Sequence, residues 1–366
     1  MYLILTQCFP SRVGGIENLV SNLALNLSEF KKIVVFADSH NVILDAVYDK
    51  KNKDSILIKR TGGLKYFRRR KKNKEILTFL KFNNVELVIS DSWKSLELPI
   101  DYLNQKNIPT LCLAHGNEIL FNNDNKKNRI IQTLKKTKYI VANSQFTKNL
   151  ISNIMPNSKN INYVNPGAED LRAIQSDSFI KLNGNPILLT IARLEKRKGH
   201  IEILKTIHKL KIKFPEIKYI ISGEGSEKSS LEKMVKDLSL ENNVIFTGLV
   251  NESQKKFLYE NTDLMVMPTL DQSNERSIEG FGITYLEAAF FGVPSIASKF
   301  GGTPEAVLHN KTGIIIDDFK DLFQSIENLL EKNDLIKKLG IEAQQRAIND
   351  FTWKRVTQNY LSLIKN

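Results

Sequence analysis

Cysteine is almost missing from this chain: Cys8 and Cys112 are the only two in 366 residues. That count excludes a disulfide-stapled scaffold and a multi-cysteine metal centre. Each falls in an apolar run that reads as a strand, which predicts buried free thiols in a reducing compartment. No apolar stretch approaches the roughly 18 residues of a membrane-spanning helix. The opening "MYLILTQCFP" has neither the basic lead-in nor the apolar length of a signal peptide. The expectation is a cytoplasmic protein whose membrane contact, if it has any, is peripheral. A G-x-G-x-x-G fingerprint is also missing, which weakens a nicotinamide or flavin dehydrogenase reading. Solenoid repeats are absent, and nothing is low-complexity apart from one basic run.

What is present is ordinary globular composition, 42% hydrophobic and 25% charged, at a length that suits two domains. The net charge of +13 is unevenly spread. Residues 1–168 hold 26 Lys and Arg against 13 Asp and Glu, while residues 169–366 hold 27 of each. The whole excess lies in the first half, which points to different electrostatic partners for the two halves.

Short apolar runs alternate with amphipathic helical patterns throughout. "YLILTQ", "KIVVFA", "ELVIS", "TLCLA" and "YIVAN" read as buried strands. A looser stretch through "IQSDSFIKLNGNP" reads as a linker, and the pattern restarts with "ILLTIA", "KYIISG", "NVIFTG", "DLMVMP", "VPSIAS" and "GIIID". Continuous apolar strands of this kind fit parallel sheets covered by helices on both faces. The predicted fold class is therefore α/β, with two doubly wound, Rossmann-like domains over residues 1–170 and 171–350. The last helix, within 351–366, fits packing on either domain. Such sheets bind ligands at the carboxyl ends of their strands, and two of them facing each other would form a cleft.

Motifs just after strands therefore carry weight. Gly14-Gly15 opens a helix after the first strand, where bare amides suit an anion; a tight turn is the plain alternative. In "ARLEKRKGH", Arg193 follows a strand and Lys198 lies five residues on, a pair suited to a diphosphate. Lys196 and Arg197 between them are expected to be solvated. In "SIEGFGITYLEAAFFG", Glu279 precedes a Gly-Phe-Gly loop and Glu287 falls in the second turn of an apolar helix. Carboxylates embedded there need donors, and sugar hydroxyls are apt ones. The amides of Gly280, Phe281, Gly282 and Ile283 would be free to meet a phosphate.

Glu279-x7-Glu287, "ARLEKRKG", "GGIE", "ISGEGSE", "VIFTGLV" and "FGGTPEAV" together resemble the retaining family 4 glycosyltransferases of GT-B fold, in the family's order and over nearly the whole chain. Within them, "TQCFPSRVGGIE", "IVVFA", "AHGNE" and "EGFGITYLEA" look most like bacterial GDP-mannose-dependent mannosyltransferases that decorate phosphatidylinositol lipids. The resemblance implies that Arg193 and Lys198 grip the donor diphosphate. It implies that Glu287 bonds the donor ribose and Glu279 the hydroxyls of the transferred sugar. Gly14 and Gly15 would touch the phosphates, Val250 would lie beside the base, and His115 would sit near the reacting sugar. His40, His200, His208 and His309 receive no role. The chain contains no Asp-x-Asp, and the family needs no metal at the donor. The resemblance thus implies transfer without a cofactor and with retention, the acceptor attacking the face that the diphosphate leaves. The developing charges on ring and phosphates suit fixed cations and amides.

The basic run remains. Seven of the ten residues from Lys65 to Lys74 are Lys or Arg. Tyr66 and Phe67 lie beside them, and Ile76, Leu77, Phe79 and Leu80 follow at helical spacing. This pattern resembles an interfacial helix, which predicts that Lys65, Arg68, Arg69, Arg70, Lys71 and Lys72 meet an anionic membrane carrying a lipid-linked acceptor. The alternative is a solvated charge run over a core-facing stripe. No nucleic-acid module accompanies the run, so nucleic acid is not expected as a partner. Three other readings stay open: a UDP-sugar transferase of lipopolysaccharide or exopolysaccharide synthesis, an inverting transferase or epimerase of the same fold, and a basic nucleic-acid-binding or scaffold protein on an inactive transferase fold.

Overall fold

The computed structural model describes residues 1–365. The chain forms two compact units. The first comprises residues 1–167 with the C-terminal helix Trp353–Lys365, and the second comprises residues 168–352.

The first unit is built on seven parallel strands: β1 (Tyr2–Leu5), β2 (Ile33–Asp38), β3 (Ile56–Thr61), β4 (Leu87–Ser90), β5 (Thr110–Ala114), β6 (Tyr139–Ala142) and β7 (Ile161–Tyr163). Their order is β3-β2-β1-β4-β5-β6-β7, so the winding reverses between β1 and β4. Five of these strands match the apolar runs. The edge strands β3 and β7 do not, because an edge is buried on fewer sides: β3 alternates buried and exposed residues and β7 has three residues. Cys8 departs from expectation too. It lies half-buried in the loop after β1, while Cys112 is buried in β5; both are free thiols.

Three helices matter below: α1 (Gly15–Ser28), α2 (Val42–Lys51) and α3 (Lys65–Phe82). Helix α1 buries Leu19, Leu23 and Leu27, spaced by four so that they share one face. The C-terminal helix joins the same core through Trp353, Val356 and Tyr360. Gly167 lies against the Trp353 ring, where a Cβ would collide with the indole.

The second unit holds six parallel strands: β8 (Ile187–Ile191), β9 (Lys218–Ser222), β10 (Val244–Gly248), β11 (Leu264–Val266), β12 (Ser295–Ser298) and β13 (Gly313–Ile316). Their order is β10-β9-β8-β11-β12-β13, with the reversal between β8 and β11. All six match the apolar runs. Leu189 and Ile191 face the helix Ile283–Phe290, and Leu188 faces the helix His200–Leu210. Each sheet thus carries its core on both faces, as two Rossmann-like layers do.

Candidate active site

In the second unit the turn after β8 and the segment before the helix Ile283–Phe290 meet. Lys198 Nζ lies 2.6 Å from Glu279 Oε2, and the Arg197 guanidinium bonds the same oxygen. The expectation for Arg197 was therefore wrong: it is buried, and Glu195 and Glu279 both take its charge. Lys196 is exposed, as is Arg193, whose Nη1 pairs with Glu195 Oε1 at 2.7 Å. Arg193, Glu195, Arg197, Glu279 and Lys198 thus form a continuous line of alternating charge. Burial alone would raise the Glu279 pKa, but Lys198 and Arg197 outweigh it and lower it to about 2. Glu279 is an anion at every physiological pH. Burial pulls the Lys198 pKa down, against the pull of Glu279.

Two glycines fix this geometry. Gly199 adopts φ +75° and lies so close to the Pro268 carbonyl that a Cβ would strike it, which pins the turn carrying Lys198. Gly301, at φ +69°, lies equally close to the Glu279 carbonyl, which accepts the Gly302 N–H at 2.9 Å. The "FGGTPEAV" motif therefore clamps the Glu279 backbone. Gly282 is the N-cap of the helix Ile283–Phe290 and supplies no side-chain cap. Gly280 and Phe281 are buried beside it and Ile283 is half-buried.

Glu287 sits apart from that cluster. It is buried, with Lys255 Nζ at 3.1 and 3.2 Å from its two oxygens and Tyr259 Oη at 2.9 Å. Its carboxylate is already oriented and keeps one lone-pair direction for a further donor. Val250 is half-buried and packs against the same core.

In the first unit, Gly14 caps α1 without a side-chain bond, and Glu17 is buried against it, paired with Arg12 Nε at 2.8 Å. Gly15 is exposed at the first turn. His115 is buried after β5, its Nε2 2.8 Å from the Asp91 carbonyl oxygen. A carbonyl only accepts, so Nε2 is the donor of that bond. Asp91 Oδ2 in turn accepts from Thr6 Oγ1 (2.9 Å), Gln7 N (2.7 Å) and Cys8 N (3.2 Å), and Oδ1 from Ser95 Oγ (2.6 Å). Burial, with Asp91 nearby, pushes the Cys8 thiol up to about 12, so it stays protonated.

The basic run is only partly available. Lys72 is buried, its Nζ 2.6 Å from Asp38 Oδ1 and from the Thr6 carbonyl. Arg68 pairs with Asp38 at 2.9 Å, and Arg69 with Glu97 and the Lys94 carbonyl. Lys65, Arg70 and Lys71 are exposed. Ile76 and Leu80 are buried in the core and Leu77 and Phe79 pack against it, which corrects the interfacial-helix reading of that stripe.

Arg197, Lys255, Tyr259 and Asp91 were missed from sequence. Asp91 directly follows β4 in "VISDS", and Lys255 and Tyr259 stand four apart on one helix, so both carried a weak positional signal. Nothing in the sequence separates Arg197 from Lys196. Among the described residues, no group of three His, Cys, Asp or Glu is placed to hold a metal, and no helix is long and apolar enough to cross a membrane.

Two parallel Rossmann-like sheets of these strand orders have the layout of the GT-B fold. Residues 172–346 match the family described as Glycosyl transferases group 1. That match lies within the second unit, which carries a domain similar to that family. It is 26% identical over 221 residues to a GDP-mannose-dependent alpha-(1-6)-phosphatidylinositol monomannoside mannosyltransferase of Mycolicibacterium smegmatis, spanning 58% of each chain. It is 24% identical over 371 residues to the GDP-mannose-dependent monoacylated alpha-(1-6)-phosphatidylinositol monomannoside mannosyltransferase of Corynebacterium glutamicum, spanning 96% of this chain and 93% of that one. In structure it is similar to Anabaena HepE crystallised with UDP and glucose (TM-score 0.81, 16% identity, 100% and 99% of the two chains). The sucrose-phosphate synthase of Thermosynechococcus elongatus is also similar (TM-score 0.82, 16% identity, 100% and 98%).

Proposed function

We propose that the protein moves a hexose, mannose, from GDP-mannose to a lipid-linked or glycan acceptor at the cytoplasmic face of the membrane, with retention at the anomeric carbon. The observation that carries this reading is the pair of cations on Glu279. Lys198 leaves Glu279 for the donor diphosphate and Arg193 joins it, while Arg197 stays behind and keeps Glu279 ionised and in place. Glu279 then accepts from hydroxyls of the transferred sugar. Glu287, held by Lys255 and Tyr259, accepts from the ribose, and Val250 lies beside the base. His115 offers Nδ1 to the sugar, and the Gly14 and Gly15 amides contact phosphate. The cations and helix-end amides take up the charge of the departing diphosphate, so the reaction calls for no metal cofactor. The leaving phosphate oxygen takes the acceptor's proton.

Mannose and GDP are favoured by the names of the mannosyltransferases the chain is similar to. A UDP-sugar donor is the second reading, because similar solved structures carry UDP. A thermal-shift comparison of GDP and UDP, followed by transfer assays with GDP-mannose and UDP-glucose, tests both. Stabilisation by GDP and consumption of GDP-mannose are expected; stabilisation by UDP alone overturns the donor assignment.

A further inference from the structure

Helix α2 is packed inside out. Its inward face sets two acids beside Tyr48, whose ring packs edge-on against Phe9: Asp45 is buried and accepts from Ser11 Oγ (2.7 Å), Ser39 Oγ (2.8 Å) and His40 N (3.0 Å), with Arg60 Nη1 at 3.1 Å. Asp49, one turn on, accepts Arg60 Nε at 2.9 Å. Its outward residues are aliphatic: Val42, Ile43, Leu44 and Val47 are 78, 76, 53 and 63% exposed. A helix on a soluble surface ordinarily does the reverse. Exposed apolar clusters of this kind mark contact sites.

The start of α3 extends the feature. Ser39 N donates to the Thr61 carbonyl at 2.9 Å, so the ends of β2 and β3 adjoin, and α2 and α3 begin from neighbouring points on the sheet's carboxyl edge. There Tyr66 and Phe67 are exposed, packed edge to face at 5.5 Å, with the Arg70 guanidinium 4.4 Å from the Tyr66 ring centre. Residues 41–74 contain twelve Lys and Arg against three Asp. Arg60, Arg68, Arg69 and Lys72 are engaged internally, and the other eight are exposed, Lys50, Lys51, Lys65 and Lys71 among them. Asp54 is the one exposed acid in that span.

We infer that the outward face of α2 and the first turn of α3 form one docking surface for an anionic bilayer, the aliphatic and aromatic tips entering the headgroup boundary and the cations meeting lipid phosphates. This deepens the membrane-face reading above and rests on it. Charge complementarity selects the occupant. A second copy of the chain would bring two rings of unpaired cations together, and nucleic acid offers no environment for four aliphatic side chains. The surface differs from the one the sequence suggested: the apolar stripe of α3 belongs to the core, and α2, with no basic run of its own at its start, supplies the insertion.

Vesicle flotation of the full chain tests this. The wild type should float with mixed phosphatidylcholine–phosphatidylglycerol vesicles and stay down with pure phosphatidylcholine, and added salt should weaken binding. Ile43→Glu with Val47→Glu should reduce partitioning on the order of tenfold, and Tyr66→Ser with Phe67→Ser should also reduce it. Ile212→Glu, an equally exposed apolar site in the second unit, should leave it unchanged. Melting temperatures matching wild type certify the folds. Variants that float as well as wild type, a wild type that ignores anionic vesicles, or a dimer abolished by the same substitutions would each overturn the inference. Donor-induced thermal shift separates the two proposals. Its loss with flotation intact sinks the transferase reading alone, and its persistence with flotation absent sinks the docking surface alone.

Discussion

The two units share an architecture and handle charge in opposite ways. The first, residues 1–167 with 353–366, carries 29 Lys and Arg against 13 Asp and Glu, a net of +16; the second carries 24 against 27, a net of −3. In the second unit the cations around the candidate site each have a carboxylate: buried Arg197 and Lys198 share Glu279, half-buried Lys255 holds Glu287, and exposed Arg193 pairs with Glu195. In the first, eight exposed cations lie in the span that carries an apolar helix face. Buried pairs are costly to break from one side, because the remaining charge is left desolvated. Exposed cations contribute little to folding and act through the fields they project. On the proposed reading, the second unit holds a small anion at fixed atoms and the first meets an extended one.

Several measurements can break that contrast. Lys198→Ala should cut transferase activity by roughly a hundred- to a thousandfold, about 3–4 kcal/mol, with the fold intact, as for removal of one preorganised charge-stabilising donor. An unimpaired variant would remove Lys198 from the diphosphate site. Lys255→Met should destabilise the second unit by about 3 kcal/mol in urea titration, since it strands the buried Glu287. Little or no loss would mean that Tyr259 alone satisfies the carboxylate.

The pH dependence of Glu279 follows from its depressed pKa. Its contribution is complete above the ordinary carboxylate range near 4.5 and is lost as pH falls through about 2. Thermal melts should show this acid-specific loss, up to about 3 kcal/mol, in wild type but not in Glu279→Gln. Arg197→Ala should lower kcat by roughly tenfold, and Arg197→Lys should recover most of it. Equal losses in both would make Arg197 a packing residue. The smallest effect is expected from chelation: dialysis against EDTA should leave activity unchanged, and a loss restored by a divalent cation would contradict the charge roles given to Arg193 and Lys198.

How much of this was legible depends on the range of the interaction. Eleven of thirteen strands were visible because buried parallel strands are continuously apolar; β3 and β7 were not, because edges are not. Glu279 and Glu287 stood out as carboxylates embedded in an apolar helix region. The partners of those carboxylates were unreadable. Arg197 is 82 residues from Glu279 and Lys255 is 32 from Glu287, and no local pattern records such pairings. Helix α3 misled for a related reason. Ile76 and Leu80 at helical spacing signal that something covers that face, and a protein core and a lipid surface leave the same signature.

Local periodicity and turn chemistry were sufficient by themselves to specify two wound sheets, to put Arg193 and Lys198 beyond a strand end and to put Glu279 ahead of a helix, since those preferences act within a few residues. Which cation each acid would take, and which way α2 would turn its aliphatic side, was settled by contacts distant in sequence. Arg60, reaching in from the edge strand β3, draws Asp45 and Asp49 beneath the helix and so turns Val42, Ile43 and Val47 outward. An ion pair of that kind forms only once the sheet has brought its members together.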